Sequence, residues 1–232
     1  MKQVIKFSVI TIFPEMVKDA LSYGVIGKAI ENSLIELETI NPRDFTTDKH
    51  NRVDDRPFGG GAGMVMMYDP LASVLQHLKK QNNNFRLSFL SPHGEKLNQN
   101  RINQLAHQSH IVLLCGRYEG IDQRFIDEYV DDEISIGDFV ISGGELVAAT
   151  IIDAVARQID GVLGDEESAK TDSFMQKTLG PPQYTRSEVL KQNGVPEVLL
   201  SGNHANIAKW REQQALKITQ LKRPDLVFKK PK

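Results

Sequence analysis

The chain has 232 residues, a formal net charge of −2 and 40% hydrophobic residues, which excludes a disordered or fibrous protein and fits a globular one. Its longest apolar runs, such as 4–13 and 111–115, are too short or too interrupted to span a bilayer, and its amino terminus lacks the cleavage site of a signal peptide. A single cysteine, Cys115, permits no internal disulfide, and the six histidines lack metal-ligand spacing. We therefore expect a cytoplasmic protein without a structural metal.

Charge is distributed unevenly along the chain. Residues 119–172 carry 15 acidic against 3 basic side chains, whereas residues 173–232 carry 11 basic against 4 acidic ones. A basic carboxyl-terminal segment indicates a polyanionic partner such as nucleic acid. On charge alone, a solvated, lysine-rich helical tail explains the pattern equally well.

Apolar runs typical of strands alternate with helical patterns over the first 160 residues. Strands are predicted at Ile5–Phe13, Leu34–Ile40, Phe85–Ser91, Ile111–Cys115 and Ile134–Ile141. Helices are predicted at Pro14–Ala29, Asp69–Lys80, Leu97–His107, Ile121–Tyr129 and Gly144–Ile159. This alternation predicts an α/β fold with a mostly parallel sheet.

The alternation stops after residue 160. The next segment is polar and acidic and runs to two prolines at 181–182, as in a linker or mobile loop. Beyond it, helices are predicted around Ser187–Gln192 and from Asn203, a suitable N-cap, to about Leu221. We predict an α/β domain at 1–160, a flexible linker at 161–178 and a small helical domain at 179–232.

Three glycine-containing turns follow predicted strands. They are SPHG at 91–94, GRYEG at 116–120 and GDFVISGG at 137–144. Glycine after a strand often marks a close approach of a ligand or another backbone, and parallel strands place their carboxyl ends at one edge. The turns offer main-chain groups and few charged side chains, which suits the edge of a flat heterocycle such as adenine.

A fourth glycine cluster, RPFGGGAGM at 56–64, matches neither a Walker A loop nor a dinucleotide fingerprint. Because Arg43, Arg52 and Arg56 flank it, contact with an RNA backbone is one interpretation. A tight turn packed at a subunit contact is an equal alternative.

These turns, with TDSF at 171–174, YTR at 184–186 and LLSGNHANIAKWR at 199–211, closely resemble bacterial tRNA (guanine-N1)-methyltransferases of the TrmD type. That family belongs to the SPOUT superfamily of knotted methyltransferases, and the resemblance covers nearly the whole chain. It implies a deep trefoil knot that holds S-adenosylmethionine. The implied donor contacts are Leu90, Ser91, Pro92, Gly94, Gly116, Tyr118, Glu119, Ile136, Gly137, Asp138, Phe139, Val140, Ile141, Gly143 and Gly144.

The resemblance also implies a reaction, methylation of N1 of the guanosine at tRNA position 37, beside the anticodon. Asp172 would remove the N1 proton and Arg157 would stabilise the charge that grows on O6. Glu119 is a third catalytic candidate, which would hold the donor, the target guanine or the Mg²⁺ that the family is reported to need.

The same resemblance implies a homodimer that binds tRNA. The expected RNA contacts are Arg43, Arg56, Lys177, Arg186, Lys209 and Arg211. Two alternatives stay open: a SPOUT-fold RNA-binding protein without activity, and a ribose 2′-O-methyltransferase. Because the glycines of the turns are present together with Arg157 and Asp172, we favour the base-modifying enzyme.

Overall fold

The computed structural model describes residues 4–227, except for the side chains of residues 166–168, and they form two compact units divided between Gly164 and Asp165. This division falls inside the predicted linker. The outer limits predicted for the domains, residues 1 and 232, lie outside the described residues. The domain boundaries at 160 and 178 therefore stay predictions.

The first unit alternates strands and helices, as the sequence predicts. Its strands are β1 Ile5–Ile10, β2 Ile35–Ile40, β3 Asp54–Asp55, β4 Val65–Met66, β5 Arg86–Lys96, β6 His110–Cys115 and β7 Asp132–Ser135. Its helices are α1 Pro14–Leu21, α2 Gly24–Glu31, α3 Tyr68–Gln81, α4 Gln99–Leu105, α5 Gln123–Tyr129 and α6 Glu145–Ala156.

Five strands form one sheet in the order β2-β1-β6-β5-β7, and every neighbouring pair is parallel. The short strands β3 and β4 pair separately and antiparallel. The expected α/β class with a mostly parallel sheet is confirmed. The order places Leu90 of β5 between the carboxyl ends of β6 and β7, since it pairs with both Cys115 and Ile134.

Both faces of the sheet are buried, as parallel sheets require. On β6, Ile111, Leu113 and Cys115 belong to one hydrophobic cluster, which includes residues of α1, α2, α4 and α6. The alternate residues, Val112 and Leu114, belong to a second cluster with residues of α3 and α5. This two-residue periodicity fixes which face each side chain occupies.

The β5–β7 pair is irregular. Leu90 pairs with Ile134, and Glu95 pairs with the same residue after a register shift, so residues 91–94 leave the ladder and return to it. A side chain at Gly94 would overlap with the main chain of Glu133 and Ile134. The backbone at Gly94 therefore lies in direct contact with the backbone of β7.

Three of the predicted elements that differ from the structure lie at 134–141, 14–29 and 187–192. The strand expected at 134–141 ends at Ser135, because Gly137 has a φ of +153° and the Ser135 hydroxyl bonds to the Gly137 main chain. The helix expected at 14–29 is two helices, and Gly24 with a φ of +67° starts the second. The helix expected around 187–192 is a turn.

The second unit, 165–227 within the described residues, contains α7 Glu166–Thr171, α8 Glu197–Leu200 and α9 His204–Lys222. The predicted cap is confirmed: the side chain of Asn203 accepts a hydrogen bond from the Asn206 amide at 3.1 Å. Helix α7 lies within the segment predicted as a linker. Over residues 4–227, none of the helices has the length and apolarity needed to cross a membrane.

Candidate functional site

A cavity of about 280 Å³ opens beside residues 89–92 of β5 and at the carboxyl ends of β6 and β7. Its volume is close to the lower end of the ~300–1,000 Å³ typical of small-molecule sites. Thirteen of the fifteen predicted donor contacts line it: Leu90, Ser91, Pro92, Gly116, Tyr118, Glu119, Ile136, Gly137, Phe139, Val140, Ile141, Gly143 and Gly144. The three glycine-containing turns therefore meet at one place, as the sequence predicts.

The other two predicted donor contacts, Gly94 and Asp138, do not line this cavity. Gly94 lies against the β7 backbone, and the Asp138 carboxylate pairs with Lys96 Nζ at 2.5 Å. Their assignment as donor contacts stays a prediction.

Two of the turns touch each other through glycine backbone. The Gly144 amide donates a hydrogen bond to the Gly116 carbonyl at 3.1 Å. A Cβ atom at Gly144 would lie 2.8 Å from Cys115 Cα, and one at Gly116 would lie 2.9 Å from the Phe89 ring. Only a residue without a side chain permits this approach. Main-chain groups, rather than charged side chains, thus form much of the wall.

The wall beside β6 is held by the 54–66 segment. The Glu119 amide donates to the Met64 carbonyl at 2.9 Å, and the Met66 amide donates to the Gly120 carbonyl at 2.9 Å. Glu119 itself is exposed, and its side chain passes over Gly63, where a Cβ would lie 2.6 Å from Glu119 Oε1. The fourth glycine cluster therefore shapes the position of Glu119.

Tyr118 stands in the left-handed region, with a φ of +59°, which is unusual for a bulky residue. Its hydroxyl accepts a hydrogen bond from Arg43 Nη2 at 3.4 Å. Burial, together with a hydrogen bond to Asp54, raises the pKa of the Tyr118 hydroxyl, so the group stays neutral at physiological pH. Arg43, predicted to contact RNA, is thus engaged in holding this turn.

One buried polar cluster beside the cavity is not among the residues expected from the sequence. Glu145, at the first position of α6, accepts hydrogen bonds from Arg117 and Thr11. Glu145 follows directly after the Gly143–Gly144 pair, and this position in the sequence could have indicated that its carboxylate lies beside the cavity. Thr11, 134 residues away in sequence, carried none.

Comparison with known proteins gives this site its context. The family profile described as tRNA (Guanine-1)-methyltransferase TrmD matches residues 5–229. Proteins named tRNA (guanine-N(1)-)-methyltransferase are 51% identical over 223 residues in Shewanella sediminis, covering 96% of this chain and 92% of theirs, and 52% identical over 226 residues in Nitrosospira multiformis, covering 95% and 88%.

This chain belongs to the tRNA (guanine-1)-methyltransferase family. The resemblance seen in the sequence is thereby confirmed. A third relative, from Shewanella baltica strain OS155, carries the same name and is 53% identical over 220 residues, which are 94% of this chain and 89% of that protein.

The two residues expected to carry out catalysis in this family lie in different units of the chain. Arg157 is the half-buried C-cap of α6 in the first unit and is not part of the cavity wall. Asp172 is exposed, directly follows α7 in the second unit, and its carbonyl accepts a hydrogen bond from the Met175 amide at 3.3 Å. Their assigned roles stay predictions.

The remaining predicted RNA contacts, in contrast to Arg43, are exposed: Arg56, Lys177, Arg186, Lys209 and Arg211. Arg56 precedes the fourth glycine cluster in the first unit, and the other four belong to the second unit. Exposed cations of this kind are available to phosphate groups. In the part of the chain that the structure describes, no group of three or more His, Cys, Asp or Glu side chains is arranged to hold a metal ion.

Proposed function

We propose that this chain transfers a methyl group from S-adenosylmethionine to N1 of the guanosine at position 37 of tRNA. One observation carries the proposal: the three glycine-containing turns expected to bind the donor meet around one cavity, in a chain of this family. The name shared by the relatives specifies a tRNA guanine N1 as the methylated atom.

The cavity fits the donor on the chemistry of its wall. Main-chain groups at Gly116 and at residues 136–144 surround it, and the apolar side chains Leu90, Ile136 and Val147 contribute surface for a flat ring. When bound, S-adenosylmethionine supplies a methyl group on a positively charged sulfur, and transfer of that methyl leaves a neutral thioether. The chain's own groups hold and orient it.

The fold proposed for this site includes a trefoil knot. The close approach of Gly94 to the backbone of residues 133–134, and the renewed pairing of β5 with β7 after residues 91–94, are compatible with threading of the chain. Such threading is rare among proteins, since connections generally do not pass through loops.

On the acceptor side, N1 of guanine carries a proton that must leave as the N1–methyl bond forms. We assign its removal to the Asp172 carboxylate and stabilisation of charge at O6 to the Arg157 guanidinium, with Glu119 at the cavity wall as a further contact of the guanine.

Replacing Asp172 by Asn keeps the shape of the side chain but removes the base. We expect methyl transfer to fall at least ~100-fold with an unchanged donor Kd. A rate within threefold of the wild type would contradict the assignment.

The target base must leave its stack to reach a donor held in a cavity, so we propose a flipped guanosine. The exposed cations of the second unit, Lys177, Arg186, Lys209 and Arg211, supply contacts to the phosphate backbone.

We further propose a homodimer, supported by the exposed apolar side chains of Phe139 and Val140 beside the cavity, and a cytoplasmic location, where tRNA is found. Among the side chains that the structure describes, no group of three or more His, Cys, Asp or Glu is arranged to hold a metal ion.

The decisive experiment is transfer of labelled methyl to a tRNA transcript with guanosine at position 37, beside a transcript with adenosine there. We expect label only in the first, released by complete digestion as the base-methylated nucleoside. Label in a ribose-methylated nucleoside would establish the 2′-O-methyltransferase alternative. Binding of tRNA without any label in either transcript would establish the inactive RNA-binding alternative.

A further inference from the structure

Glu145 is a charged residue in an apolar setting. Only 1% of its surface is exposed, and its neighbours along α6 include the buried residues Val147, Ala148 and Ile151. Removing a carboxylate from water is costly unless it is paired and hydrogen-bonded. The acidic group therefore requires partners that are themselves fixed.

Its partners satisfy both carboxylate oxygens. Arg117 Nε lies 3.1 Å from Oε1 and 2.9 Å from Oε2, and Arg117 Nη2 lies 2.8 Å from Oε2. The Thr11 hydroxyl donates to Oε1 at 2.7 Å. The Arg117 side chain is only 15% exposed, so this is a buried, multiply bonded ion pair, the strongest class of hydrogen bond available to side chains.

The pair joins three turns at the same edge of the sheet. Arg117 lies in the turn after β6, and its Nη1 also donates to the Ser142 carbonyl at 3.1 Å in the turn after β7. Its guanidinium stacks over the Phe13 ring, with 4.5 Å to the ring centroid, in the turn after β1. The Phe13 amide in turn donates to the Thr11 hydroxyl at 2.9 Å.

Two of these turns form the cavity. In the turn after β6, Arg117 and its neighbours Gly116 and Tyr118 line the cavity. In the turn after β7, the cavity is lined by Ser142, Gly143 and Gly144, and Glu145 follows them without lining it. A Cβ atom at Gly143 would overlap with the Arg117 guanidinium, so the arginine lies directly against the glycine pair. Movement of Arg117 would therefore shift both turns together.

We propose that Glu145, acting through Arg117, is a positioning residue that holds the two cavity turns in their donor-binding arrangement before the donor arrives. This inference rests on the proposed function. A site prepared in advance binds more tightly, because the ligand does not have to order it. Stability alone is a poor explanation of the pair, since buried ion pairs are often no more stabilising than apolar side chains of the same volume.

The test compares the full chain with Glu145→Gln and with the double variant Arg117→Gln/Glu145→Gln. Glu145→Gln leaves a lone buried cation, which endangers folding, whereas the double variant removes both charges and avoids that cost. Glu15→Gln is the matched control, because Glu15 forms an exposed ion pair with Lys18 on α1. Donor affinity is measured by titration calorimetry with S-adenosylmethionine, and folding by thermal unfolding.

We expect both Glu145 variants to bind the donor at least about tenfold more weakly, equivalent to ~1.4 kcal/mol, and to raise the donor KM more than they lower kcat. The control is expected to match the wild type. A purely structural role would lower the melting temperature and the number of competent sites with an unchanged donor Kd, and that result in the double variant would overturn the inference. Failure of the wild type to bind the donor would instead contradict the proposed function.

Discussion

At the scale of single residues, replacement of Gly144 by alanine tests whether close backbone packing sets the affinity for the donor. Its φ is −79°, so alanine is conformationally acceptable there and the only change is steric. The added Cβ would lie 2.8 Å from Cys115 Cα and 3.3 Å from Leu90 Cβ, which forces the two glycine turns apart. We expect Gly144→Ala to weaken S-adenosylmethionine binding and to cost about 1–3 kcal/mol of unfolding free energy.

Calorimetry and urea denaturation measure these two effects. Gly164→Ala is the control, since nothing lies within 4 Å of a Cβ at Gly164. If Gly144→Ala and Gly164→Ala bind the donor equally well, the glycine contact does not shape the cavity.

Residue-scale prediction succeeded where a residue type has one local meaning. Gly116 directly follows β6 and the Gly143–Gly144 pair directly precedes α6, and glycines between a strand and a helix indicate close packing. The Glu145–Thr11 hydrogen bond was not, because its partners are 134 residues apart and only the order of the strands brings them together. The contact between Gly94 and the backbone of β7 was not visible either, since a glycine pattern does not tell which partner approaches.

At the scale of elements, periodicity predicted where strands run but not where they end. Strands β2 and β6 differ from their predicted ranges by one residue at one end. β5 continues to Lys96 because β7 pairs with it again after the bulge, a tertiary contact that no local pattern contains. The strand expected at 134–141 stops at Ser135, where the backbone turns at Gly137, and the apolar residues beyond it line a cavity instead of a core.

One polar cluster joins three neighbouring strands and predicts a pH effect. His110 on β6 lies 2.9 Å from the Ser8 hydroxyl on β1, which donates to Glu38 on β2 at 3.0 Å, while Lys6 pairs with the same carboxylate at 2.9 Å. His110 Nδ1 is buried without a hydrogen-bond partner. Burial and then the charge of Lys6 lower the pKa of His110, although Glu38 and Glu36 oppose this.

Because the pKa of His110 in the folded state lies below the ordinary ~6.5 of the unfolded chain, the unfolded state binds more protons in this window. The contribution of neutral His110 to the stability of the folded state is present above pH 6.5, and it is lost as the pH falls from there through the lowered pKa of His110. We expect His110→Phe to reduce the loss of unfolding free energy between pH 7 and pH 5, measured by urea denaturation. The exposed His107→Asn is the control, and a wild-type pH profile in His110→Phe would contradict the account.

At the scale of the whole molecule, charge is distributed unevenly along the chain. The acidic run 119–172 includes part of the cavity wall, whereas residues 173–232 are strongly basic. Each phosphate that a cation neutralises releases counterions, so removal of the cation weakens tRNA binding and flattens the salt dependence.

Lys209 and Arg211 on α9 are exposed and suited to this test. We expect the double variant Lys209→Gln/Arg211→Gln to bind tRNA more weakly at low salt, and the slope of log K against log salt to shrink by about one for each phosphate that is no longer neutralised. Donor affinity should stay at the wild-type value, because the cavity is built from residues 89–147. Lys80→Gln, an exposed cation on α3 of the first unit, controls for net charge. If the double variant on α9 keeps the wild-type slope of log K against log salt, Lys209 and Arg211 do not contact the RNA backbone.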